Sequence, residues 1–323
     1  MKRVSIIGAT GYAGSELVKL LTARADVEIS SLVSTSNTGK LFSDVCKSMR
    51  YIADIPLSPL DIDKIASNSD AVFLSLPHGA GMEIAAAFVE RGVKVFDLSA
   101  DFRMQDQQLF ERVYNTPHKR ADLLSASAYG LAEFYEREIR EAKIVGVPGC
   151  YPTAVLVPLL PLIKKRMIDT EHIIADCKSG ISGAGKNPTE TTHFCEVTVK
   201  PYSVFSHRHK FEIDDIIKRF TNIAADIVFT PHYVPVKRGL LAAIYTKSSF
   251  SKDELDKVYR EFFAAKRYVR ILSEPPSMQD VQNTPFIDIA LFKKGGNVII
   301  VSAIDNLLKG AASQAVQCFE LCK

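Results

Sequence analysis

Residues 4–24 limit most sharply what this chain can become. An apolar run, Val4-Ser5-Ile6-Ile7, ends in Gly8-Ala9-Thr10-Gly11-Tyr12-Ala13-Gly14, and Gly14 to Arg24 then carries Leu17, Val18, Leu20 and Leu21 on one side of an expected helix. A buried strand, a turn of small residues and a helix, in that order, start a parallel sheet, because a parallel neighbour is reached by crossing over through a helix. The turn also suits an anion. Small residues let a pyrophosphate approach the backbone, and the N–H groups at the helix start point at it. Its spacing, GxxGxxG, shifts one glycine relative to the usual dinucleotide fingerprint. A ligand-free tight turn would have similar composition, but the strand before it and the helix after it favour a dinucleotide. Gly8, Thr10, Gly11, Tyr12, Ala13 and Gly14 are the expected contacts.

The same alternation continues. Strands are expected at Val27–Val33, Asp70–Leu76, Val93–Leu98 and Ile144–Val147, with a helix at Met82–Arg91. That pattern predicts an α/β domain with a doubly wound, Rossmann-like parallel sheet, whose ligands sit beyond the carboxyl ends of its strands. The second half reads differently. A helix at Thr153–Lys165 precedes strands at His172–Lys178, Ile227–Thr230, Leu240–Thr246, Thr284–Phe292 and Asn297–Ala303, with a helix at Glu212–Phe220 and another at Asn306–Cys322. Strands beside separate helices predict an α+β domain with a mostly antiparallel sheet. The expected division is a cofactor domain at 1–149, to which a C-terminal helix at 304–323 returns, and a catalytic and oligomerisation domain at 150–303.

Several function classes are excluded early. Among 323 residues, 40 basic and 37 acidic side chains leave a net charge of +3, too little for a nucleic-acid face. The longest apolar stretch, Ala154–Ile163, contains Pro158 and Pro161 and falls short of the roughly 20 residues that span a bilayer. Met1-Lys2-Arg3 leads into a strand instead of a signal peptide, so the expected location is the cytoplasm. The six cysteines show no CxxC spacing and predict neither a disulfide framework nor a metal site.

At the end of the second expected strand, an acidic residue would hold a ribose 2′-hydroxyl and repel a 2′-phosphate. The chain has Ser34-Thr35-Ser36-Asn37-Thr38-Gly39-Lys40 there. Ser34, Ser36 and Lys40 suit a phosphate, so the expected cofactor is NADP(H); a solvated polar loop is the plainer alternative. In Gly146-Val147-Pro148-Gly149-Cys150-Tyr151-Pro152-Thr153-Ala154 a strand ends, Gly149 turns the chain and Pro152 fits the first helical position. A cysteine at a helix N-terminus is stabilised as thiolate by the helix dipole, so Cys150 is the expected nucleophile. Cys46, Cys177, Cys195, Cys318 and Cys322 are expected to be small buried residues. A thiolate in a dinucleotide enzyme implies an acyl-thioester route.

With these residues in place the chain resembles the N-acetyl-γ-glutamyl-phosphate reductases, relatives of the aspartate-semialdehyde dehydrogenases. The motifs are GATGYAGSEL at 8–17, LPHG at 76–79, DLSADFR at 97–103, AYGLAE at 128–133, GVPGCYPTA at 146–154, SGISGAGK at 179–186, HRHKFEI at 207–213 and NLLKGAASQA at 306–315. The resemblance implies reduction of an acyl phosphate, captured on Cys150, to an aldehyde in arginine biosynthesis. It places the acid/base histidine in the HRH motif. His209 is favoured and His207 kept as its substitute or as a substrate contact, both reaching one cleft if the segment is extended. Ser99, Arg103, Arg208 and Glu212 are the candidate substrate contacts, although Arg103 could equally form a surface ion pair with Asp101. Pro77, His78, Ser182, Gly183 and Asn306 are assigned to the cofactor, and the Cys150 N–H is the expected oxyanion donor. In Val234-Pro235-Val236-Lys237-Arg238-Gly239 the related semialdehyde enzymes place a histidine after the glycine, where this chain has Leu240. That departure counts against an aspartyl substrate. An aminoadipyl substrate, or a non-enzymatic NADP-binding regulator, stays open. The resemblance further implies a homodimer or homotetramer.

Overall fold

Short apolar runs that end at glycine or polar turns become the strands of the first sheet. The computed structural model describes residues 1–190 and 192–322. Its strands are β1 (Lys2–Ile7), β2 (Val27–Val33), β3 (Leu57–Ser58), β4 (Ala71–Leu74), β5 (Lys94–Asp97), β6 (Ser127–Tyr129) and β7 (Ile144–Gly146). They lie in the order β3-β2-β1-β4-β5-β7-β6, and every neighbouring pair is parallel. Val4, Ile6, Val72, Phe73, Val95 and Phe96 are fully buried, as a sheet covered on both faces requires. The helix Tyr12–Thr22 buries Leu17, Val18 and Leu21 of the stripe that its spacing predicts, while Leu20 is half-buried. Strand order reverses between β1 and β4, where ligands of such sheets sit.

Two compact units divide the chain, Met1–Pro148 with the segment from Ala311 onward, and Gly149–Gly310. Lys323, the last residue of the expected return at 304–323, lies outside the described residues. The returning helix, Ser313–Glu320, packs in the first unit. Its Phe319 ring meets Phe73 at 5.8 Å and Phe96 at 5.9 Å, and Gln314 donates to the Gly130 carbonyl at 2.9 Å.

The second unit holds β8 (Ile174–Gly180), β9 (Lys200–Pro201), β10 (Val228–Val234), β11 (Leu240–Lys247), β12 (Val269–Leu272), β13 (Ile287–Lys294) and β14 (Asn297–Ile304), in the order β12-β13-β14-β11-β8-β10-β9. The pairs β8–β10 and β12–β13 are parallel; the other four are antiparallel. The doubly wound parallel sheet and the mostly antiparallel second sheet are both as expected. One helix, Cys150–Lys164, is the core of this unit, with every residue from Tyr151 to Ile163 buried. Pro158 has no N–H to give the Ala154 carbonyl four residues earlier. Ser302 on β14 supplies the missing donor at 2.6 Å and is itself fully buried. Tyr259 donates to the Pro158 carbonyl at 2.8 Å from the neighbouring helix Lys252–Phe263, which starts in a Ser251–Glu254 capping box.

Three expected helices differ. The first starts at Cys150 instead of Thr153, so Pro152 is its third residue and not its first. The second runs Arg208–Thr221, four residues longer at its start. At the C-terminus a π-helical turn, Leu308–Ala312, interrupts the expected helix. There the Asp305 carboxylate takes the Leu307 and Leu308 N–H groups, while Gly310 N–H donates to the Asp305 carbonyl. Among the described residues, no helix is long and apolar enough to cross a membrane.

Candidate active site

Cys150 opens its helix behind an extended N-cap, Gly149, at φ −66° and ψ 158°. Glycine at an N-cap brings no side-chain acceptor, and the contacts arrive from the helix Arg208–Thr221 instead. Gly149 N–H donates to the Glu212 carboxylate at 3.0 Å. The open side of its Cα faces His209, where an added Cβ would fall 2.7 Å from the ring Cε1 and 2.8 Å from Cδ2. Glycine is therefore needed here for space and not for backbone conformation. On the other side of the nucleophile, a Cβ at Gly310 would sit 2.7 Å from the Cys150 Cβ. The π-turn aims that glycine at the cysteine, in keeping with the frequent use of such turns at functional sites. Cys150 is half-buried, and its place in the first turn exposes the sulfur to the positive end of the helix dipole.

The HRH segment is not extended. His207 is the N-cap, and its Nδ1 accepts the His209 N–H at 3.1 Å, so Arg208 and His209 are already helical. A side-chain acceptor at the cap is what starts the helix early. The two imidazoles still meet, with ring centroids 4.8 Å apart, and both lie edge-on to Tyr151, at 5.6 and 5.8 Å. Burial, then the nearby Arg208 cation, holds His207 down at about 4. It is a neutral ring at working pH, and its accepting Nδ1 leaves the proton on Nε2. Tyr202 donates to the Tyr151 hydroxyl at 3.1 Å and stacks on Tyr233 at 3.9 Å. Burial raises the phenols of Tyr151 and Tyr202 far above the ordinary range.

Elsewhere in the second unit, Asn306 ties two loops together. Its carbonyl accepts the Gly239 N–H at 2.8 Å, and its amide donates to Ser182 Oγ at 3.0 Å, beside Gly183. Asp305, fully buried, pairs with Arg238 at 2.9 Å. Sequence reasoning missed this pair and Gly310, although PVKRG and NLLKGAASQA both stood out as motifs.

In the first unit, Gly8 turns with φ +83°, and a Cβ there would come within 2.9 Å of the Ser75 carbonyl carbon. Gly14 packs against Ala9 and Gly8 as closely, whereas a Cβ at Gly11, the helix N-cap, would meet the Gly8 carbonyl oxygen at an ordinary 3.6 Å. The turn's tight glycines are structural, and the uncrowded Gly11 opens the helix whose first-turn N–H groups, those of Tyr12 and Ala13, suit an anion. Thr10 and Ser34 share a hydrogen bond at 2.9 Å. Ser36 and Lys40 both reach Asn37, at 3.0 and 3.4 Å, so the hydroxyls and the ammonium gather at the end of β2.

After β4 and β5 a second group forms. Asp101 accepts the N–H groups of Gly79 and Gly81 at 2.7 and 3.3 Å, and His78, next to Pro77, accepts the Ala100 N–H at 3.0 Å. Ser99 donates to Asp97 at 2.6 Å. Burial, then the neighbouring Asp101, lifts Asp97 from 3.8 to about 7. Arg103 is buried rather than a surface residue; its guanidinium donates to the Val147 and Leu98 carbonyls at 2.7 and 3.0 Å. Of the five other cysteines, only Cys177 and Cys318 are buried. Cys46 and Cys322 are half-buried and Cys195 is exposed, because it lies in a run of turns that packs against little.

Comparisons with known proteins agree in both halves of the chain. Residues 3–142 match the family described as semialdehyde dehydrogenase, NAD binding domain, and residues 150–306 match semialdehyde dehydrogenase, dimerisation domain. The N-acetyl-gamma-glutamyl-phosphate reductase of Desulforapulum autotrophicum is 43% identical over 98% of this chain and 94% of its own length. That of Halothermothrix orenii is 44% identical over the same shares. Among solved structures, aspartate semialdehyde dehydrogenase II from Vibrio cholerae aligns with a TM-score of 0.75 at 18% identity, covering 99% of this chain and 98% of that one. Aspartate semialdehyde dehydrogenase with NADP from Candida albicans aligns with a TM-score of 0.74 at 17% identity, over 99% and 98%.

Proposed function

The chain belongs to the N-acetyl-gamma-glutamyl-phosphate reductase family, and from that membership we propose that it reduces N-acetyl-L-glutamyl 5-phosphate to N-acetyl-L-glutamate 5-semialdehyde and phosphate, with NADPH, as a cytoplasmic step of arginine biosynthesis. The observation that carries the chemistry is the pairing of Cys150, at a helix start, with His209, whose ring lies against the preceding Gly149.

The Cys150 thiolate attacks the acyl carbon, the C–O bond to phosphate breaks, and phosphate departs with the electron pair. A thioester remains on Sγ. The first-turn N–H of Cys150 steadies the oxyanion as each tetrahedral intermediate forms. His209, presented by the first turn of its helix, supplies the proton as the thiohemiacetal forms, and takes it back as the C–S bond breaks to release the aldehyde. His207, held neutral, caps that helix and orients its neighbour. Ser99, Arg103 and Arg208 are the proposed substrate group; Glu212, a candidate contact in the sequence, is instead buried against the Gly149 N–H. Within the group Arg208 is exposed, whereas Arg103 is buried.

The residues of the first unit fit a dinucleotide phosphate. Gly11 caps the helix start without crowding, β2 ends without an acidic side chain, and Ser34, Ser36 and Lys40 gather there for a 2′-phosphate. The Gly8–Gly14 turn would hold the pyrophosphate, and Pro77 and His78 would flank it. Ser182, Gly183 and Asn306 are the second unit's proposed cofactor contacts. When bound, the reduced nicotinamide supplies the hydride.

Self-association is proposed through the open face of the second sheet. Cross-strand partners Val228, Ile174, Tyr245 and Ile299 form one row across four strands, each about 40% exposed (41%, 45%, 40% and 38%). An uninterrupted apolar row of this kind marks a contact surface. A Tyr245→Asp protein that keeps the parent mass in light scattering would remove that face from consideration.

The test of the activity is NADP+ reduction in the reverse direction, with phosphate and a panel of semialdehydes, for the parent and Cys150→Ser. Preference for N-acetylglutamate 5-semialdehyde and loss of turnover in the serine variant are expected. Strong preference for aspartate semialdehyde would overturn the substrate, and wild-type turnover by Cys150→Ser would overturn the chemistry.

A further inference from the structure

Glu212 is fully buried. Carboxylates are almost never placed so unless a polar partner requires them. Here its Oε1 accepts the N–H of Gly149, the residue that both caps the nucleophile's helix and precedes Cys150. Glu212 stands three residues after His209 on one helix, so the two side chains share a face. One helical turn therefore grips a single glycine twice. The His209 ring closes on its Cα, and Glu212 holds its N–H.

That grip fixes a distance which neither helix sets alone. Cys150 is carried by one helix and His209 by the other. The Gly149–Glu212 bond is a direct polar tie between the two at the level of the reacting groups. A hydrogen bond weakens steeply away from linearity, so the tie sets the angle of the Gly149–Cys150 peptide as well as its place. Oriented attack tolerates little error, since about 1 Å of misplacement can cost about 10²-fold in rate.

Resting on the proposal that Cys150 is the nucleophile, we propose that Glu212 is a positioning residue. Its carboxylate locks the peptide before Cys150 to the helix that presents His209, and it acts on turnover through that peptide and not by touching the substrate. This narrows the role that sequence resemblance implied for it. Its Oε1 is engaged with the chain's own backbone, and the side chain is fully buried.

Two variants separate the roles. Glu212→Gln keeps an acceptor oxygen at the same reach, and Glu212→Asp withdraws it by one methylene. Kinetics use N-acetylglutamate 5-semialdehyde, phosphate and NADP+, alongside thermal melts and iodoacetamide alkylation mapped to Cys150 by mass spectrometry. The expected result is that Glu212→Asp loses about 10- to 100-fold in kcat with KM for the semialdehyde within about threefold. Glu212→Gln should hold kcat within about threefold of the parent. A raised KM with kcat intact in either variant would make Glu212 a substrate contact and overturn the proposal. Equal loss of kcat in both variants would overturn it too, as would a lowered melting temperature with parental kcat at a permissive temperature. If Cys150 of the parent fails to alkylate selectively, the nucleophile reading fails first. If Cys150 alkylates selectively and the variants keep parental kcat, only the role of Glu212 falls.

Discussion

Replacing Gly149 with alanine isolates the steric half of that grip. The backbone there has φ −66° and ψ 158°, which alanine adopts freely, so the substitution carries no conformational penalty of its own. The whole effect is the added methyl, which lands 2.7 Å from His209 Cε1 and nearer still to Nε2, whereas ordinary contact begins at 3.4 Å. The ring must therefore retreat by at least the difference between 3.4 and 2.7 Å. Its retreat is hampered, because His207 lies at 4.8 Å, Tyr151 at 5.8 Å, and the His209 N–H is bound to His207. A displacement approaching 1 Å predicts a loss of about 10²-fold in kcat. Overpacking predicts a destabilisation of about 1–3 kcal/mol. Steady-state turnover with saturating semialdehyde and phosphate gives the first number, and chemical denaturation the second. NADP+ affinity, set by the first unit's glycine turn in the proposed reading, should not change. A Gly149→Ala protein with kcat within twofold of the parent would refute the placement of His209 as the acid/base.

Three further outcomes are expected. Ser302→Ala should leave the Ala154 carbonyl without a donor inside the core and lower stability by about 1–3 kcal/mol, read by denaturant titration; unchanged stability would mean the Pro158 gap is filled in another way. Asp97 binds its proton more tightly folded, at about 7 against 3.8, so the native state holds the extra proton between those values and stability falls as pH rises through them. Melts of the parent and Asp97→Asn from pH 4 to 8 should therefore diverge, the parent losing more toward the alkaline end, and parallel curves would contradict the burial of that carboxyl. Lys40→Ala should raise KM for NADP+ by about 3- to 10-fold while sparing NAD+, and an equal effect on both cofactors would remove Lys40 from the 2′-phosphate site.

How much of this was legible depended on the range over which each signal acts. The Gly8–Gly14 turn and the strands around it could be read because a local pattern, apolar run then glycine then amphipathic helix, already contains the reason for the fold. Cys150 at a helix start was legible for the same reason, although its boundary moved. Pro152 pointed to a first helical position, yet the helix begins two residues sooner, at Cys150. The geometry of the HRH segment was not legible. Whether it is extended or helical turns on His207 accepting the His209 N–H, and histidine is not among the residues expected at a cap. Strands of two or three residues, such as Leu57–Ser58 and Ser127–Tyr129, are too short to show a period, and pairing with long neighbours makes them. Long-range contacts stayed hidden altogether: Glu212 on Gly149, Gly310 on Cys150 and Ser302 on Ala154 join residues 63 to 160 positions apart.

The returning C-terminal helix has a consequence for how this chain is made. The first unit is not complete in its first 148 residues, because Phe319 covers Phe73 and Phe96, and Glu320 reaches back to Arg24. A nascent chain on the ribosome thus carries an unfinished parallel sheet, with aromatic surface uncovered, until residues 313–320 emerge. Gly310, which closes on the nucleophile, also emerges near the end. Both units then reach their final form only once residues 310–320 have emerged. Expression of the isolated N-terminal half should give an aggregation-prone fragment, and a tag or truncation at the C-terminus disturbs the oldest part of the chain as much as the newest.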